Sequence, residues 1–393
     1  MLLVFITGCT VHHTFDSYSG LVMAGYQGWF NAEGDGSGRG FYHYGTKDGF
    51  CPGNASIDLW PDVSEYSRTY PTEFKMSDGS IAHVFSSEDY STVETHFKWM
   101  SKYGIDGVFM QRFVNEIKMP SGKKHFDHVL DHAMKAARKF NRAIAIMYDL
   151  SGMDKNDVDI LLKDIDTLSV KYKLFNRKDN QNYLYHNGRP LVAVWGIGFN
   201  DVRNYNLVQS ETIVDGLIDR GFSVMIGVPT FWRTLDGDTE HNPQLHSIIR
   251  KCDILMPWFV GRYDEAGYDN YKALIKKDIE WTQDNGIDYA PLVYPGFSWR
   301  NMCGKESFYV PRNNGKFFKK QIDGSIELGA KMLYVAMFDE IDEGTAIFKC
   351  SKEVPISEKG TEFVPVDSMV PNDIYLRLAG SASKRLRVYK KCR

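Results

Sequence analysis

The segment Met332-Leu333-Tyr334-Val335-Ala336-Met337 runs directly into Phe338-Asp339-Glu340-Ile341-Asp342-Glu343-Gly344-Thr345. Its first six residues are typical of a parallel strand that is buried on both faces. Four carboxylates then occupy five consecutive positions, 339–343. The carboxyl end of such a strand is where α/β barrels keep their catalytic groups. The segment therefore predicts a barrel strand that ends in a candidate active site.

Glu340 and Glu343 are three residues apart, so one helical turn places their Cβ atoms about 5–6 Å from each other. Two carboxylates that close push their pKa values apart, which provides the acid and the base that cleavage of a glycosidic bond requires. Alternatively, the cluster is the first turn of a helix, where the helix dipole favours acidic residues. The cluster alone leaves both interpretations open.

Apolar runs alternate with amphipathic stretches along the rest of the chain. The runs predict eight strands: Val22–Trp29, Gly107–Met110, Ala143–Tyr148, Leu191–Trp195, Val224–Val228, Ile254–Trp258, Tyr289–Val293 and Met332–Met337. The stretches predict eight helices: Thr92–Tyr103, His125–Phe140, Asp157–Tyr172, Ser210–Arg220, Asn242–Lys251, Tyr271–Asn285, Phe317–Leu328 and Asp373–Val388. This alternation indicates an α/β protein with a single (β/α)8 TIM barrel.

No linker interrupts the alternation, so we expect one catalytic domain over residues 21–393, after a lead of residues 1–20. Two long excursions, residues 30–91 and 346–370, follow the first and the last predicted strands. A ninth strand candidate, Ile81–Phe85, is placed in the first of them. Long loops at the carboxyl ends of the strands are where barrel enzymes build their sites.

The composition excludes some classes of function. The chain has 47 basic and 50 acidic residues and a net charge of −3, with no basic block, so we expect no nucleic-acid partner. Its six cysteines form no C-x-x-C pair and no zinc-like spacing, and we expect neither a metal nor a cofactor. The 22 Tyr, 24 Phe and 8 Trp fit a large core and a carbohydrate site equally well.

The amino-terminal residues 1–9 form a short apolar run that ends in Ile6-Thr7-Gly8-Cys9. The run resembles the end of a bacterial lipoprotein signal, in which the cysteine is lipidated, although the basic region of such signals is missing. It is either a truncated export signal or a chance match. The first interpretation predicts lipidation of Cys9, export to the bacterial periplasm or outer surface, and membrane contact through that anchor alone.

Polar or aromatic residues stand at the predicted strand ends. The aromatic ones either close the top of the barrel core or contact a sugar. Arg112, Asp149 and Glu340 are harder to place in a core, because a buried charge needs a partner or a substrate. No Ser or Cys stands near a histidine in a triad-like placement, so nucleophilic acyl transfer has no support.

Three segments together resemble glycoside hydrolase family 99 and the wider family 71/99-like group. The segment Ser86–His96, followed by Met100 and Gly104–Val108, is similar to the first helix and second strand of that family. The segment Asp339–Thr345 resembles its E-x-x-E-G-T motif after strand eight. The strand-seven loop of the family is similar to Pro291, Pro295-Gly296-Phe297, Arg300 and Asn301.

The resemblance implies a (β/α)8 barrel that cleaves α-mannosidic linkages within a glycan, with retention and without a metal. In the family's proposed mechanism, one glutamate takes the proton of the sugar's own 2-hydroxyl, and water then opens the resulting 1,2-anhydro sugar. Carried over, Glu340 is that base, and Glu343 is first the acid and then the base. The Trp and His between the family's two glutamates are Ile341 and Asp342 here.

The strand ends and the resemblance together predict a sugar-binding cleft around the two glutamates. Its predicted contacts are Tyr26, Trp29, His43, Tyr44, Arg112, Tyr148, Asp149, Trp195, Trp258, Tyr294, Arg300 and Asn301. We expect a monomer that acts on an oligo- or polysaccharide. Two alternatives stay open: the same chemistry on an α-glucan or a pentose-containing polysaccharide, and a carbohydrate-binding barrel without turnover.

Overall fold

The computed structural model describes residues 15–304, 307–366 and 368–391. The barrel strands are β1 Val22–Tyr26, β2 Gly107–Phe113, β3 Ala143–Asp149, β4 Arg189–Trp195, β5 Ser223–Val228, β6 Ile254–Pro257, β7 in two pieces, Asp288–Tyr289 and Leu292–Val293, and β8 Leu333–Val335. The main helices are α1 Tyr90–Tyr103, α2 Pro120–Phe140, α3 Val158–Tyr172, α4 Leu207–Asp219, α5 Gln244–Ile249, α6 Tyr268–Asp284, α7 Lys316–Glu327 and α8 Ile374–Lys391.

The eight strands are parallel and follow one another around the barrel, with β1 also paired to β8. The ring closes through β7, whose first piece pairs with β6 and whose second piece pairs with β8. Pro291 separates the two pieces because it has no N–H to donate, although its carbonyl accepts from Tyr334 N at 3.0 Å. The predicted (β/α)8 barrel is confirmed, and the predicted unbroken strand Tyr289–Val293 is corrected to two short pieces.

Shorter elements escaped the sequence pattern because they span too few residues to show a period. They are the helices Val114–Ile117 and Arg300–Cys303, the 3-10 turn Asn313–Gly315, and the strands Tyr70–Lys75, Tyr185–His186, Phe297–Ser298 and Tyr309–Val310. The ninth strand candidate is Ile81–Val84, which pairs antiparallel with Tyr70–Lys75 inside the first long loop. No helix among the described residues is long and apolar enough to cross a membrane.

Side chains alternate between the two sides of the barrel wall. Along β3, Ile144, Ile146 and Tyr148 pack in the layer between strands and helices, whereas Ala145 and Met147 fill the barrel interior. This is the period of two that every strand has, and both faces are apolar here because the helices cover the outside. The alternation decides which strand-end residues reach a pocket at the top of the barrel.

The amino-terminal end of the barrel is closed by residues from the predicted lead. Phe15 and Tyr18 are buried in the same cluster as the interior residues of the strands. The Tyr18 hydroxyl donates to the Leu333 carbonyl at 2.7 Å, and its ring packs edge-on against Phe109. Residues 15–20 thus pack on the barrel domain, and the predicted lipidation site at Cys9 lies outside the described residues.

The two long excursions pack against each other beside the barrel top. Trp60 and Phe74 of the first loop meet Phe363 of the last segment, with ring centroids 4.9 and 5.3 Å apart. Backbone bonds join the same segments, from Asp62 N to Lys349 O and from Val364 N to Asp58 O. These contacts extend the apolar layer outside the barrel wall and fix the first loop next to the acidic turn that follows β8.

Candidate active site

A pocket of about 720 Å³ opens at the carboxyl ends of the barrel strands. Its lining includes residues just after or at the end of six strands, so it lies where barrel enzymes place their chemistry. The predicted site residues that line it are Trp29, His43, Asp149, Trp195, Trp258, Glu340 and Glu343. Both candidate catalytic carboxylates therefore face one cavity.

Glu340 is nearly fully buried and accepts two side-chain hydrogen bonds. Gln27 Nε2 donates to Oε1, and Thr345 Oγ1 donates to Oε2 at 2.5 Å. The backbone N–H groups of Thr345 and Ala346 also donate to the Glu340 carbonyl, at 3.0 and 2.9 Å, so the acidic segment is a hydrogen-bonded turn. The turn fixes the direction in which both glutamates leave the backbone.

Burial, and then the nearby charges of Glu343 and Asp342, raise the pKa of Glu340 well above its usual value. Burial and the charge of Asp342 raise the pKa of Glu343 to about 8, and the Trp299 indole offsets part of that rise. The two donors to Glu340 favour its ionised form. The two carboxyl groups therefore titrate as a coupled pair, and their burial and mutual repulsion favour at least one proton on the pair at neutral pH.

Asp339 anchors the same turn to the end of β1. Its carboxylate accepts from the backbone N–H groups of Gln27 and Gly28, at 2.8 and 2.9 Å. Burial raises the pKa of Asp339 to about 7, although these two N–H groups work in the opposite direction. Within the described part of the chain, no Lys or Arg forms an ion pair with Asp339, Glu340 or Glu343.

Asp149 contributes a third carboxylate to the pocket from the end of β3. Its Oδ1 accepts from Ser151 N at 2.7 Å, and burial raises its pKa while Arg203 lowers it. Arg203 also lines the pocket, but its guanidinium is bound by Asp201 at 2.5 and 2.8 Å. The charge of Asp149 thus adds to a pocket that is already negative.

Aromatic side chains cover two sides of the pocket. On one side the ring of Trp29 stacks on His43 and on Phe113. On the other side Trp195 packs against Trp258, with ring centroids 5.2 Å apart. Trp29, Trp195 and Trp258 all line the pocket, so three of the predicted aromatic contacts reach the cavity.

Three predicted contacts lie on the outer face of the barrel wall. Arg112 donates to the Asp164 carboxylate at 2.7 and 2.6 Å, and Tyr148 OH donates to the same carboxylate at 2.7 Å. Tyr26 OH is 2.7 Å from His96 Nδ1 of α1. Because side chains alternate between the two faces of a strand, these three point toward the helices and not into the pocket. The prediction that they contact a sugar is therefore corrected.

Four further predicted contacts are absent from the pocket lining. Tyr44 and Tyr294 are buried, and their hydroxyls donate to the carbonyls of Phe85 and Tyr263. The Asp58 carboxylate accepts from the backbone N–H groups of positions 300 and 301, at 2.8 Å each. Asn301 Nδ2 also donates to the carbonyls of positions 57 and 362. The predictions for Tyr44, Tyr294 and Asn301 are therefore corrected to structural roles, and that for Arg300 is corrected because the residue does not line the pocket.

Other lining residues were missed by the sequence reasoning. Gln111 stands two residues after Phe109 and shares its interior face, but the sequence does not show which face of that strand is the interior one. Trp299 and Tyr42 come from loops, where no period exists to predict their direction. Among the described residues, no group of three or more His, Cys, Asp or Glu is placed to hold a metal ion.

No protein-family model matches the chain, and no curated protein matches it in sequence. Its structure is similar to that of the GH99 endo-α-mannosidase from Bacteroides thetaiotaomicron, with a TM-score of 0.67 and 14% identity, over 95% of this chain and 99% of that one. The complex of that enzyme with BIS-TRIS-propane gives the same values. A glycoside hydrolase-like protein is similar over 80% of this chain and 89% of its own, at a TM-score of 0.52 and 12% identity. The predicted resemblance is thus confirmed for the fold: the chain has a (β/α)8 barrel like that of the GH99 endo-α-mannosidase.

Proposed function

We propose that this protein is a retaining glycoside hydrolase that cleaves α-mannosidic linkages within glycans. The observation that carries the proposal is the pair Glu340 and Glu343 in one pocket. Glu340 is buried, Glu343 is half-buried, and neither has a cationic partner among the described residues. Carboxyl groups kept in different protonation states are the equipment for glycosidic cleavage. A barrel that only binds carbohydrate has no use for a matched acid and base.

In the proposed reaction, Glu340 starts ionised as the base and Glu343 starts protonated as the acid, as the family resemblance implies. Glu340 removes the proton from the 2-hydroxyl, and the freed oxygen attacks the anomeric carbon. Glu343 donates its proton to the departing glycosidic oxygen, which leaves a 1,2-anhydro sugar. Glu343, now ionised, then takes a proton from water, which attacks the anomeric carbon, and Glu340 returns its proton to O2. Two inversions give net retention.

The pocket offers the other features that a neutral sugar requires. Trp195 and Trp258 provide apolar ring surfaces, and Asp149 provides a hydrogen-bond acceptor for hydroxyls. The volume of about 720 Å³ lies in the range of ligand sites. Mannose as the sugar and cleavage inside the chain rest on the family resemblance. A second candidate is another α-linked glycan, favoured by Asp342 in the place of the family's histidine.

The test is a panel of α-linked manno- and gluco-oligosaccharides and pentose-containing polysaccharides, with the anomeric configuration of the first product read by NMR. We expect hydrolysis of an α-mannoside with retention. Hydrolysis confined to another member of the panel would favour the second candidate. No turnover of any member would contradict the proposal.

The two glutamate roles can be separated with substituted substrates. A substrate with a good leaving group needs little help from an acid, so it should partly rescue Glu343→Gln and not Glu340→Gln. A substrate that lacks the 2-hydroxyl should not turn over. Cleavage of the 2-deoxy substrate at a near-normal rate would rule out the anhydro route.

A further inference from the structure

A histidine of the first long loop reaches the acidic turn after β8. His43 Nδ1 lies 2.9 Å from Asp342 Oδ2, although 299 positions separate the two residues. The His43 side chain is 27% exposed and lines the pocket, whereas that of Asp342 is 2% exposed. Because a carboxylate can only accept, this contact places a proton on Nδ1 of the imidazole.

The imidazole is held from more than one direction. It stacks on Trp29 with ring centroids 3.7 Å apart and planes within 7°. Its backbone has φ 63, in the left-handed region, and Ser56 Oγ donates to its carbonyl at 2.6 Å. A residue other than glycine keeps this backbone conformation only when its surroundings require it. The ring is therefore fixed before any ligand arrives.

The other ring nitrogen, Nε2, has no hydrogen-bond partner among the described residues. With the proton on Nδ1, Nε2 of the neutral ring carries a lone pair and accepts a hydrogen bond. The matching donor in a neutral glycan is a hydroxyl group. Asp342 is the charged group that faces the ring, and the neighbouring Tyr42 hydroxyl is already turned away to Glu116.

We propose that His43 and Asp342 orient the reacting sugar as a pair: Asp342 holds the imidazole in the Nδ1–H tautomer, and Nε2 accepts a hydrogen bond from a sugar hydroxyl. Asp342 is then a positioning residue, which acts through His43. The proposal rests on the proposed function in one respect, since it places the reacting sugar between this pair and the two glutamates.

The first experiment needs no turnover. In protein labelled with ¹⁵N-histidine, and with His43→Gln used to assign the signal, we expect His43 as the Nδ1–H tautomer. Added α-mannobiose should shift the Nε2 signal. Asp342→Asn should remove the tautomer preference, because an amide can turn either its donor or its acceptor toward the ring. An unchanged tautomer in Asp342→Asn, or an Nε2 signal that ignores the sugar, would overturn the proposal.

The second experiment uses kinetics on an α-manno-oligosaccharide. His43→Phe keeps the stacking on Trp29 and removes the acceptor, so we expect a rise in KM of roughly 3–10-fold, the effect of one hydrogen bond. His43→Gln, which restores an acceptor, should recover part of the loss. Asp342→Asn should match His43→Phe, and the double variant should be no worse than either single one. Fully additive losses would contradict the pair.

The pH profile separates orientation from mere structural support. Asp342→Asn removes a charge that raises the pKa of Glu343, so its high-pH limb should move to lower pH, and His43→Phe should not move it that way. His83→Gln is the matched control, because His83 sits in the same loop, its ring bonds to Thr69 Oγ1 at 3.0 Å and it is absent from the pocket lining. A wild type that is inactive on every glycan would end the proposed function, and the NMR experiment would still decide the pair.

Discussion

Two groups of buried charges stand at the strand ends of this barrel, on opposite sides of its wall. On the outer side, Arg112 is bound by Asp164 and also by Asp127, at 2.9 Å. On the inner side, Glu340 and Glu343 face a pocket, and no Lys or Arg of the described residues forms an ion pair with them. The charges of the first group neutralise each other within the protein. The negative charges of the second group are neutralised only by bound protons or by a ligand.

The difference shows how a buried charge can be assigned to structure or to function. When one member of a buried ion pair is removed, the other charge stays buried without a partner, and the folded state is destabilised. Such a pair is therefore assigned to the structure. Unpaired carboxylates keep raised pKa values, which the fold has to tolerate and which acid–base chemistry can use. The adjacent residues Tyr148 and Asp149 illustrate both cases, since Tyr148 bonds to Asp164 and Asp149 lines the pocket.

The largest expected effect is on turnover. Glu340→Gln should lower kcat by about 10²–10⁴-fold, because it removes a proton acceptor without removing volume. The melting temperature should stay the same or rise, since the variant no longer holds an ionisable carboxyl group in a buried position. Glu327→Gln is the matched control, as Glu327 is exposed and pairs with Lys272 at 2.5 Å. A wild-type kcat in Glu340→Gln would contradict the assignment of the inner carboxylates to catalysis.

Arg112→Met should have the opposite profile. It leaves the buried Asp164 without its main partner, so we expect a loss of about 3–5 kcal/mol in the free energy of unfolding, measured by urea denaturation. Activity per folded molecule should persist, because Arg112 does not line the pocket. Lys163→Met, at an exposed ion pair with Asp159, should cost less than about 1 kcal/mol. Equal losses in both variants would contradict the structural assignment.

Tyr148 and Asp149 are adjacent in β3 and lie on opposite sides of the barrel wall, so the two residues test the same distinction at neighbouring positions. Tyr148→Phe removes a hydrogen bond to a charged group and should cost about 1.5–3 kcal/mol of stability, with kcat/KM unchanged. Asp149→Asn should lower kcat/KM by roughly tenfold, the value of one hydrogen bond to an ionised group, and leave stability intact. Urea denaturation and steady-state kinetics on both variants measure this. If Tyr148→Phe lowered kcat/KM and Asp149→Asn lowered stability, the assignment of Tyr148 to the outer side and Asp149 to the pocket side would be wrong.

The last expected effect is on the pH dependence of stability. The pKa of Glu343 rises from 4.5 to about 8 in the folded protein, so between these values the folded state holds a proton that the unfolded chain has released. Stability attributable to this group therefore falls as pH rises through that window. Glu343→Gln should show a shallower fall between pH 5 and 8 in urea denaturation. An identical slope in both proteins would argue against the raised pKa.

The sequence by itself determined the barrel and the place of its acidic turn. Eight apolar runs between amphipathic helices leave few other arrangements, and the run of Met332–Met337 followed at once by Glu340 and Glu343 ties the carboxylates to a strand end. Strand and helix limits shifted by a few residues, because termini depend on local hydrogen bonds. The break in β7 at Pro291 follows from the missing N–H of proline.

Only the tertiary structure decided which strand-end side chains enter the pocket. Both faces of these strands are apolar, so the hydrophobic pattern carries no mark of inside or outside, and Arg112 and Tyr148 were indistinguishable from Asp149. The meeting of His43 with Asp342 depends on how a long loop packs beside the acidic turn. Such contacts join residues far apart in the chain, and they form because the folded barrel brings the loops together. No periodic pattern in the local sequence predicts them.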